Sequence, residues 1–316
     1  MSRVLPIAVV QEVPQHVGEP LSRFCEGVQQ VVATFPQSRL VVYPELHLFE
    51  TGSALGGSAS SADALQASAE PLPGPRSKAL GELAGDLGVW LVPGSVCERG
   101  PGGELFNTAL IYAPDGTLAA WYRKVFPWRP YEPFDRGDRF VTFDLKGIGR
   151  AGFSICYDAW FPEVTRHLAW MGAEVVLNLV KTTTCDRAQE VILARANAIV
   201  NQVFMVSVNC AGPIGTGQSL VIDPEGLMRA ASSGAERTVL TDVLDLEHVP
   251  RVRRYGTAGL TRVWDPFLKG DAALELPLYG GQLEPGRWKP DPAHAQTQEN
   301  RVEATKNVPS LQDLET

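Results

Sequence analysis

The most informative segment of the sequence is Gly152-Phe153-Ser154-Ile155-Cys156-Tyr157-Asp158-Ala159-Trp160-Phe161-Pro162-Glu163. An apolar run ends at Cys156, and an amphipathic run over residues 164–171 follows, which predicts a strand, a sharp turn and a helix. Pro162 and Glu163 suit the N-terminus of that helix. A thiol between a buried strand and the positive end of a helix is placed to be a nucleophile with a low pKa. The alternative is a small buried hydrophobic residue, as most free cysteines are.

A second apolar run, over residues 40–43, predicts a buried strand that ends at Pro44 and Glu45. Burying a charged carboxylate is costly, so an acid at the end of a buried strand requires an explanation. Glu45 is either a rim residue that reaches solvent or a base with a raised pKa. The sequence leaves both interpretations open.

Residues 122–134 read Tyr-Arg-Lys-Val-Phe-Pro-Trp-Arg-Pro-Tyr-Glu-Pro-Phe. The prolines forbid a regular element here, and the aromatic residues make the segment too apolar for a simple solvent loop. It is either a packed surface loop or a pocket wall that carries Lys124 and Glu132.

Apolar and amphipathic runs alternate along the chain, which predicts an α/β fold with a mixed sheet. Residues 147–152 match G-x-G-x-x-G, but a strand follows them, so they predict a turn and not a dinucleotide site. Residues 51–62 predict a loop, and the Thr/Asp cluster at 182–186 predicts a helix cap. The predicted strands are 4–10, 40–43, 89–92, 105–113, 117–123, 140–145, 153–156, 175–179, 203–208, 219–223 and 239–243, and the predicted helices are 17–35, 74–88, 164–171 and 188–201.

The bulk properties exclude several classes of partner. The net charge of −8 and the pI near 5.2 argue against binding to nucleic acid or to an anionic membrane. No apolar run approaches the ~20 residues that span a bilayer, and the N-terminus shows no signal-peptide pattern. The five cysteines are scattered without a C-x-x-C pair. Free thiols in a reducing cytoplasm are therefore expected rather than a disulfide framework.

The composition changes near residue 256, so we predict one domain over residues 1–255 and a C-terminal extension over 256–316. The extension contains isolated aromatic residues and many prolines. Its first part is too aromatic to be free in solution, and we expect it to pack on the core or on a partner subunit. The polar segment 290–316 has a composition typical of disorder.

Glu45, Lys124 and Cys156 form a chemically consistent set. Side chains that do chemistry in α/β sheets gather beyond the carboxyl ends of strands. A carboxylate can act as the base for a thiol, and a lysine can stabilise charge on a carbonyl oxygen. No G-x-S-x-G, H-E-x-x-H or P-loop motif occurs. A serine triad, a zinc site and a nucleotide phosphate site therefore lack support.

The sequence resembles the nitrilase superfamily of carbon–nitrogen hydrolases. The resemblance extends over about residues 4–245. It is carried by three blocks in the family's order, Val42-Tyr43-Pro44-Glu45, Tyr122-Arg123-Lys124 and Gly152 to Asp158 followed by Phe161-Pro162-Glu163. It implies a Glu–Lys–Cys triad at Glu45, Lys124 and Cys156, and no metal or organic cofactor. It also implies a four-layer αββα sandwich that forms homodimers or larger homo-oligomers, with a C-terminal extension that often crosses to the partner.

The loop is similar to that of the aliphatic amidase and formamidase branch. The similarity places a second glutamate of the site at Glu132 and a pocket-wall tryptophan at Trp128. The residues after the thiol, Tyr157 and Asp158, also match many amidases. Four residues are therefore expected to contribute to substrate binding: Trp128, Tyr157, Asp158 and Lys181.

The resemblance implies that a small amide is hydrolysed to a carboxylic acid and ammonia through a thioester on the cysteine. Two alternatives stay open at this point. The same triad could act on an N-carbamoyl amide or on a nitrile, or the fold could serve as a non-catalytic scaffold.

Overall fold

Two mixed β-sheets form the centre of the molecule in a computed structural model that describes residues 3–52 and 59–290. In chain order the strands are β1 (Val4–Gln11), β2 (Leu40–Val42), β3 (Trp90–Val92), β4 (Ser95–Arg99), β5 (Leu105–Tyr112), β6 (Leu118–Arg123), β7 (Thr142–Leu145), β8 (Gly149–Ile155), β9 (Val175–Leu179), β10 (Phe204–Val208), β11 (Leu220–Ile222), β12 (Met228–Ala231), β13 (Thr238–Asp245), β14 (Leu274–Leu276) and β15 (Gly281–Leu283). The α-helices are α1 (Leu21–Thr34), α2 (Ala59–Ser68), α3 (Pro75–Leu87), α4 (Pro162–Trp170), α5 (Arg187–Asn201) and α6 (His248–Tyr255).

The first sheet has the strand order β13-β1-β2-β3-β5-β4, with β6 paired to β5. The second has the order β12-β11-β10-β9-β8-β7. In each sheet three neighbouring strands are parallel, β1-β2-β3 and β8-β9-β10, and antiparallel strands flank them. The prediction of mixed sheets is confirmed.

The buried hydrophobic residues form three clusters, one between the two sheets and one on the outer face of each sheet. Residues of both sheets, such as Val42 of β2 and Ile155 of β8, pack into one central cluster. Phe24 of α1 and Leu80 of α3 pack on the outer face of the first sheet, and Leu168 of α4 packs on the outer face of the second. The predicted four-layer αββα sandwich is therefore confirmed.

Several elements differ from the sequence prediction. Strands β4 and β12 and helix α6 were not predicted, although the predicted strands and helices all occur with shifted ends. The loop predicted over 51–62 is wrong from Ala59, where α2 begins, and residues 53–58 lie outside the described residues. Asp186 stands at the N-terminus of α5 but makes no side-chain hydrogen bond to its backbone, so the predicted cap is also wrong.

Residues after α6 pack against α4. Trp264 is buried, and the guanidinium of Arg166 lies 4.7 Å from its ring and 5.1 Å from that of Trp288. The indole Nε1 of Trp170 donates to the carbonyl of Arg287 at 2.7 Å. The division at residue 256 stays a prediction, and nearly all of the segment 290–316 lies outside the described residues.

Within residues 3–52 and 59–290, every helix is too short or too polar to cross a bilayer.

Candidate active site

Both sheets contribute side chains to one site. Glu45 follows β2 and Lys124 directly follows β6, both in the first sheet, whereas Cys156 directly follows β8 in the second. Strands β2 and β8 belong to the parallel parts of their sheets, so their carboxyl ends are where chemistry-bearing groups gather. Glu45 and Cys156 line the same cavity and Lys124 contacts Glu45, so the structure brings the three predicted triad residues to one place.

The ammonium group of Lys124 is completely buried between two carboxylates. Its Nζ lies 3.0 Å from Oε1 of Glu45, and 2.8 and 2.9 Å from the two carboxylate oxygens of Glu132. Burial alone would lower the pKa of Lys124, but Glu132 and Glu45 outweigh it and raise that pKa well above its usual value. Lys124 is therefore a fixed positive charge at any working pH.

Both carboxylates have further partners that fix their orientation. The side-chain amide of Asn107 donates to Oε1 of Glu45 at 2.8 Å. The backbone N–H of Trp128 donates to Oε2 of Glu132 at 2.7 Å. Burial raises the pKa of Glu132 despite the nearby charge of Lys124. The pocket-wall interpretation of residues 122–134 is thus the one that the structure supports.

Cys156 adopts a left-handed backbone conformation with φ of +47°, which is unusual for a residue with a side chain. A 3₁₀ turn over Cys156–Trp160 follows, and α4 begins at Pro162. This local structure matches the predicted strand, sharp turn and helix. It turns the sulfur away from the strand axis at the end of β8.

Asp158 holds this turn together. Its carboxylate accepts hydrogen bonds from the N–H groups of Ile155 and Phe126, both at 2.9 Å, and from the hydroxyl of Tyr122 at 2.8 Å. Burial raises the pKa of Asp158 to about 6. Asp158 does not line the cavity, and its role in substrate binding stays a prediction. It is a positioning residue that joins the cysteine turn to the loop of Lys124.

The thiol does not have the low pKa that the sequence suggested. Burial raises the pKa of Cys156 well above its usual value, the charge of Glu45 raises it further, and Lys124 only partly opposes them. Placement near a helix N-terminus does not compensate for the removal of the sulfur from water. Cys156 therefore rests as a neutral thiol and requires a base.

The sequence analysis missed two side chains beside the sulfur. Oγ1 of Thr182 lies 3.8 Å and Oε1 of Glu190 lies 4.0 Å from Sγ of Cys156. Glu190 is buried in the first turn of α5, where Arg187 pairs with it at 3.1 Å. The only sequence signal was an acid three residues after an arginine at a helix start, which is common on helix surfaces.

A cavity of about 100 Å³ opens onto the sulfur. Its walls are rich in aromatic side chains, Phe49, Trp128, Tyr131, Phe134, Tyr157 and Trp160. Trp128, Tyr157 and Lys181, all predicted to contribute to substrate binding, line it. The ammonium of Lys181 is already paired with the buried carboxylate of Glu50 at 2.7 Å.

Comparisons with known proteins agree with this geometry. The family model for carbon–nitrogen hydrolases matches residues 7–254. A formamidase of Bacillus thuringiensis (strain Al Hakam) is 31% identical over 209 residues, which make up 66% of this chain and 60% of the relative. The chain thus spans about 60% of the length of the curated relatives that it matches.

Solved structures of similar fold include a yeast protein and a bacterial amidase. Saccharomyces cerevisiae Nit3, a member of branch 10 of the nitrilase superfamily, has a TM-score of 0.71 and 26% identity and covers 80% of this chain and 94% of that protein. A glutamate-to-glutamine mutant of the amidase of Nesterenkonia sp. AN1 has a TM-score of 0.65 and 25% identity over 80% of this chain and 94% of its own. In that structure the acetamide moiety of fluoroacetamide is covalently added at the active-site cysteine. With a family model that matches most of its length, this chain belongs to the carbon–nitrogen hydrolases of the nitrilase superfamily.

Proposed function

We propose that this protein is a cysteine-dependent hydrolase of small amides, which it converts to a carboxylic acid and ammonia. The observation that carries the proposal is the buried cluster in which Lys124 bridges Glu45 and Glu132 beside the Cys156 thiol. In this cluster the buried lysine supplies a positive charge for an oxyanion, and an adjacent carboxylate supplies a base for the proton of the thiol.

In the first half of the reaction, Glu45 takes the proton of Cys156 while the sulfur attacks the amide carbonyl carbon. The carbonyl oxygen becomes an oxyanion, which Lys124 Nζ and the backbone N–H of Tyr157 stabilise. Glu45 then returns the proton to the amide nitrogen, the C–N bond breaks and ammonia leaves. A thioester on Cys156 remains. Glu132 keeps Lys124 in position and offers an acceptor to the amide N–H₂ group.

In the second half, Glu45 takes a proton from water as the water oxygen attacks the thioester carbonyl. The same two donors hold the new oxyanion. The C–S bond breaks, the carboxylic acid leaves, and the proton returns from Glu45 to the sulfur. The raised pKa of Cys156 suits this sequence, because a poorly stabilised thiolate accepts its proton readily and needs a base at each attack.

The proposed substrates are short amides. The cavity of about 100 Å³ is smaller than the ~150 Å³ that accommodates benzene. The formamidase relatives and the amidase that carries an acetamide adduct support an amide over a nitrile or an N-carbamoyl compound.

The test is ammonia release from formamide, acetamide, propanamide, acetonitrile and N-carbamoylglycine. We expect turnover with the amides and its complete loss in Cys156→Ala. The matched control is Cys185→Ala, because Cys185 is exposed and is not a lining residue of the cavity. Equal activity in the two variants, or release from the nitrile alone, would refute the proposal.

We also propose a homo-oligomer that works in a reducing compartment such as the cytoplasm. All five cysteines are free, and α5 exposes Ile192, Ile199 and Val200 to solvent. Exposed apolar residues grouped on one helix are typical of an interface. Light scattering on the purified protein tests the proposal, and a monomer at micromolar concentration would contradict it.

A further inference from the structure

Glu190 is held in a way that leaves part of it available to a ligand. The hydroxyl of Thr182 lies 2.8 and 2.7 Å from its two carboxylate oxygens, and Nη1 of Arg187 lies 3.1 Å from Oε2. Thr182 has a single proton to donate, and a carboxylate has about four acceptor positions. Oε1 also lies 4.0 Å from Sγ of Cys156, whose thiol can donate to it. Acylation of the sulfur removes that donor, so an acceptor position on Oε1 becomes available to the acyl group.

This carboxylate has a different charge partner from the two acids that hold Lys124. Glu45 and Glu132 both contact Lys124, whereas the charge partner of Glu190 is Arg187, which is itself 1% exposed. Glu190 lines the substrate cavity and is only 7% exposed. A buried acceptor that faces a cavity is costly unless a donor meets it.

The distance from the sulfur indicates which part of a substrate could supply that donor. In the thioester, an atom attached to the carbon next to the carbonyl is three bonds from sulfur. Ordinary bond lengths place such an atom about 3–4 Å from the sulfur. Oε1 of Glu190 is 4.0 Å from the same sulfur, so a substituent at this carbon comes within hydrogen-bond distance of Oε1 when it points toward Glu190.

The remaining charges of the cavity work against an acidic acyl group. Glu45, Glu132, Asp186 and Glu190 all line the cavity. The cation that lines it, Lys181, is already paired with Glu50. A carboxylate on the acyl group would meet more acids than free cations, and like charges in a buried site repel one another strongly.

We propose that Glu190, supported by Thr182 and Arg187, determines acyl specificity. It selects short amides that carry a hydrogen-bond donor, an ammonium or a hydroxyl group, on the carbon next to the reacting carbonyl, and the cavity rejects those that carry a carboxylate there. This inference rests on the proposed amide hydrolase activity and names the substrate class of that site.

The first test compares three amides of equal size, propanamide, 2-hydroxyacetamide and 2-aminoacetamide, and adds the larger malonamate with its neutral amide malonamide as the size control. We expect kcat/KM from ammonia release to be about 10- to 100-fold higher for the two donor-bearing amides than for propanamide, because a hydrogen bond to a charged group is worth that much. Malonamate should be the poorest substrate. Equal or faster turnover of propanamide would overturn the inference.

The second test uses Glu190→Gln. Glutamine keeps one oxygen for Arg187 and Thr182 but presents an N–H₂ donor in place of the open acceptor. We expect the ratio of kcat/KM for 2-aminoacetamide to that for propanamide to fall about 10- to 100-fold, because only the donor-bearing amide uses the acceptor that is lost. Asp186→Asn removes a charge from the same cavity without a contact to the sulfur, and it should leave the ratio unchanged. An equal loss for both substrates would contradict the inference.

Binding to Cys156→Ala separates this inference from the proposed function. Calorimetry on that variant should show tighter binding of 2-aminoacetamide than of propanamide, and Glu190→Gln in the same background should abolish the difference. If wild-type protein hydrolyses no amide but the binding preference holds, only the proposed function fails. If propanamide is hydrolysed and no preference exists, only the inference fails.

Discussion

At the scale of the residue, the reactive group of this site is a thiol that keeps its proton. The pKa of Cys156 lies well above its usual value because the sulfur is buried and Glu45 is negative. The neutral form is therefore favoured across neutral pH, and the thiolate fraction increases only as the pH approaches the raised pKa. We expect the rate of alkylation of Cys156 by iodoacetamide to keep rising through pH 9.

Mass spectrometry of the Cys156 peptide measures that rate directly. The background should be Cys185→Ala, so that the exposed thiol does not consume reagent. A plateau below pH 8 would mean that a thiolate already exists at rest, contrary to this account of the pKa.

The charge of Lys124 is the second residue-scale test. Lys124→Met leaves the carboxylates of Glu45 and Glu132 buried without a cation. We expect the free energy of unfolding to fall by about 3–5 kcal/mol, and kcat to fall at least about 100-fold because the oxyanion loses a donor. Urea unfolding and ammonia release measure the two effects. Retention of more than a tenth of the activity would show that Lys124 does not stabilise the oxyanion.

Sequence predicted the identity of the main site residues but not their surroundings. Glu45 and Cys156 stand at the ends of apolar runs, and resemblance identified Lys124 and Glu132. Glu190 was missed because the polar run before it resembles a helix cap. Which carboxylate of that run faces the sulfur depends on the rotation of α5 against β8, and one chain segment does not contain that information.

At the scale of the element, the 3₁₀ turn over Cys156–Trp160 depends on the carboxylate of Asp158. Asp158→Asn would aim an N–H₂ group at the donors that now meet a carboxylate. We expect a loss of about 2–3 kcal/mol in the free energy of unfolding, because buried donors lose their acceptor. Turnover should fall as well. The same carboxylate accepts hydrogen bonds from the N–H groups of Ile155 and Phe126, and so positions the cysteine turn against the loop of Lys124.

Asp144→Asn is the matched control for that change. Asp144 pairs with Arg150 at 2.8 Å in the hairpin of β7 and β8, but its side chain is 63% exposed. Removing an exposed pair should cost less than about 1 kcal/mol. Equal costs in the two variants, measured by urea unfolding, would argue against a special role for the buried carboxylate.

Elements with strong hydrophobic patterns were predicted to within a few residues, and elements without them were missed. Strand β12 is largely exposed at a sheet edge, so it shows no apolar run. Helix α6 contains a proline and three arginines and buries only Val249 and Val252. Both elements are stabilised by their neighbours rather than by their own sequence pattern.

At the scale of the whole molecule, the site is assembled from two separate sheets. The packing between the sheets therefore sets the distance between the acid, the amine and the sulfur. Leu177→Ala of β9 opens a hole in the central core, whereas Leu80→Ala of α3 opens one in an outer layer. Both leucines are fully buried, so each variant should lose about 2–5 kcal/mol of stability.

Only Leu177→Ala should lower kcat, and by about tenfold or more, because a small shift of catalytic groups has a large effect on rate. Thermal unfolding and ammonia release at a temperature where both variants are folded provide the comparison. Equal kcat values in the two variants would show that the sheets hold the site independently of the core between them. The sequence predicted the layers of the fold, but the assignment of each strand to a sheet depends on pairings between distant segments, such as β1 with β13.

The contacts between residues 264–288 and α4 connect this segment to the reactive centre. The hydroxyl of Tyr279 donates to the carboxylate of Glu163, and the guanidinium of Arg166 stacks on Trp264 and Trp288. The helix that they brace starts only a few residues after the nucleophile. Residues 257–262, which lie between α6 and the residues that make these contacts, are exposed. A single proteolytic cut in this segment would separate the residues that contact α4 from the rest of the chain. We expect ammonia release to be lost irreversibly, although every catalytic side chain would remain intact.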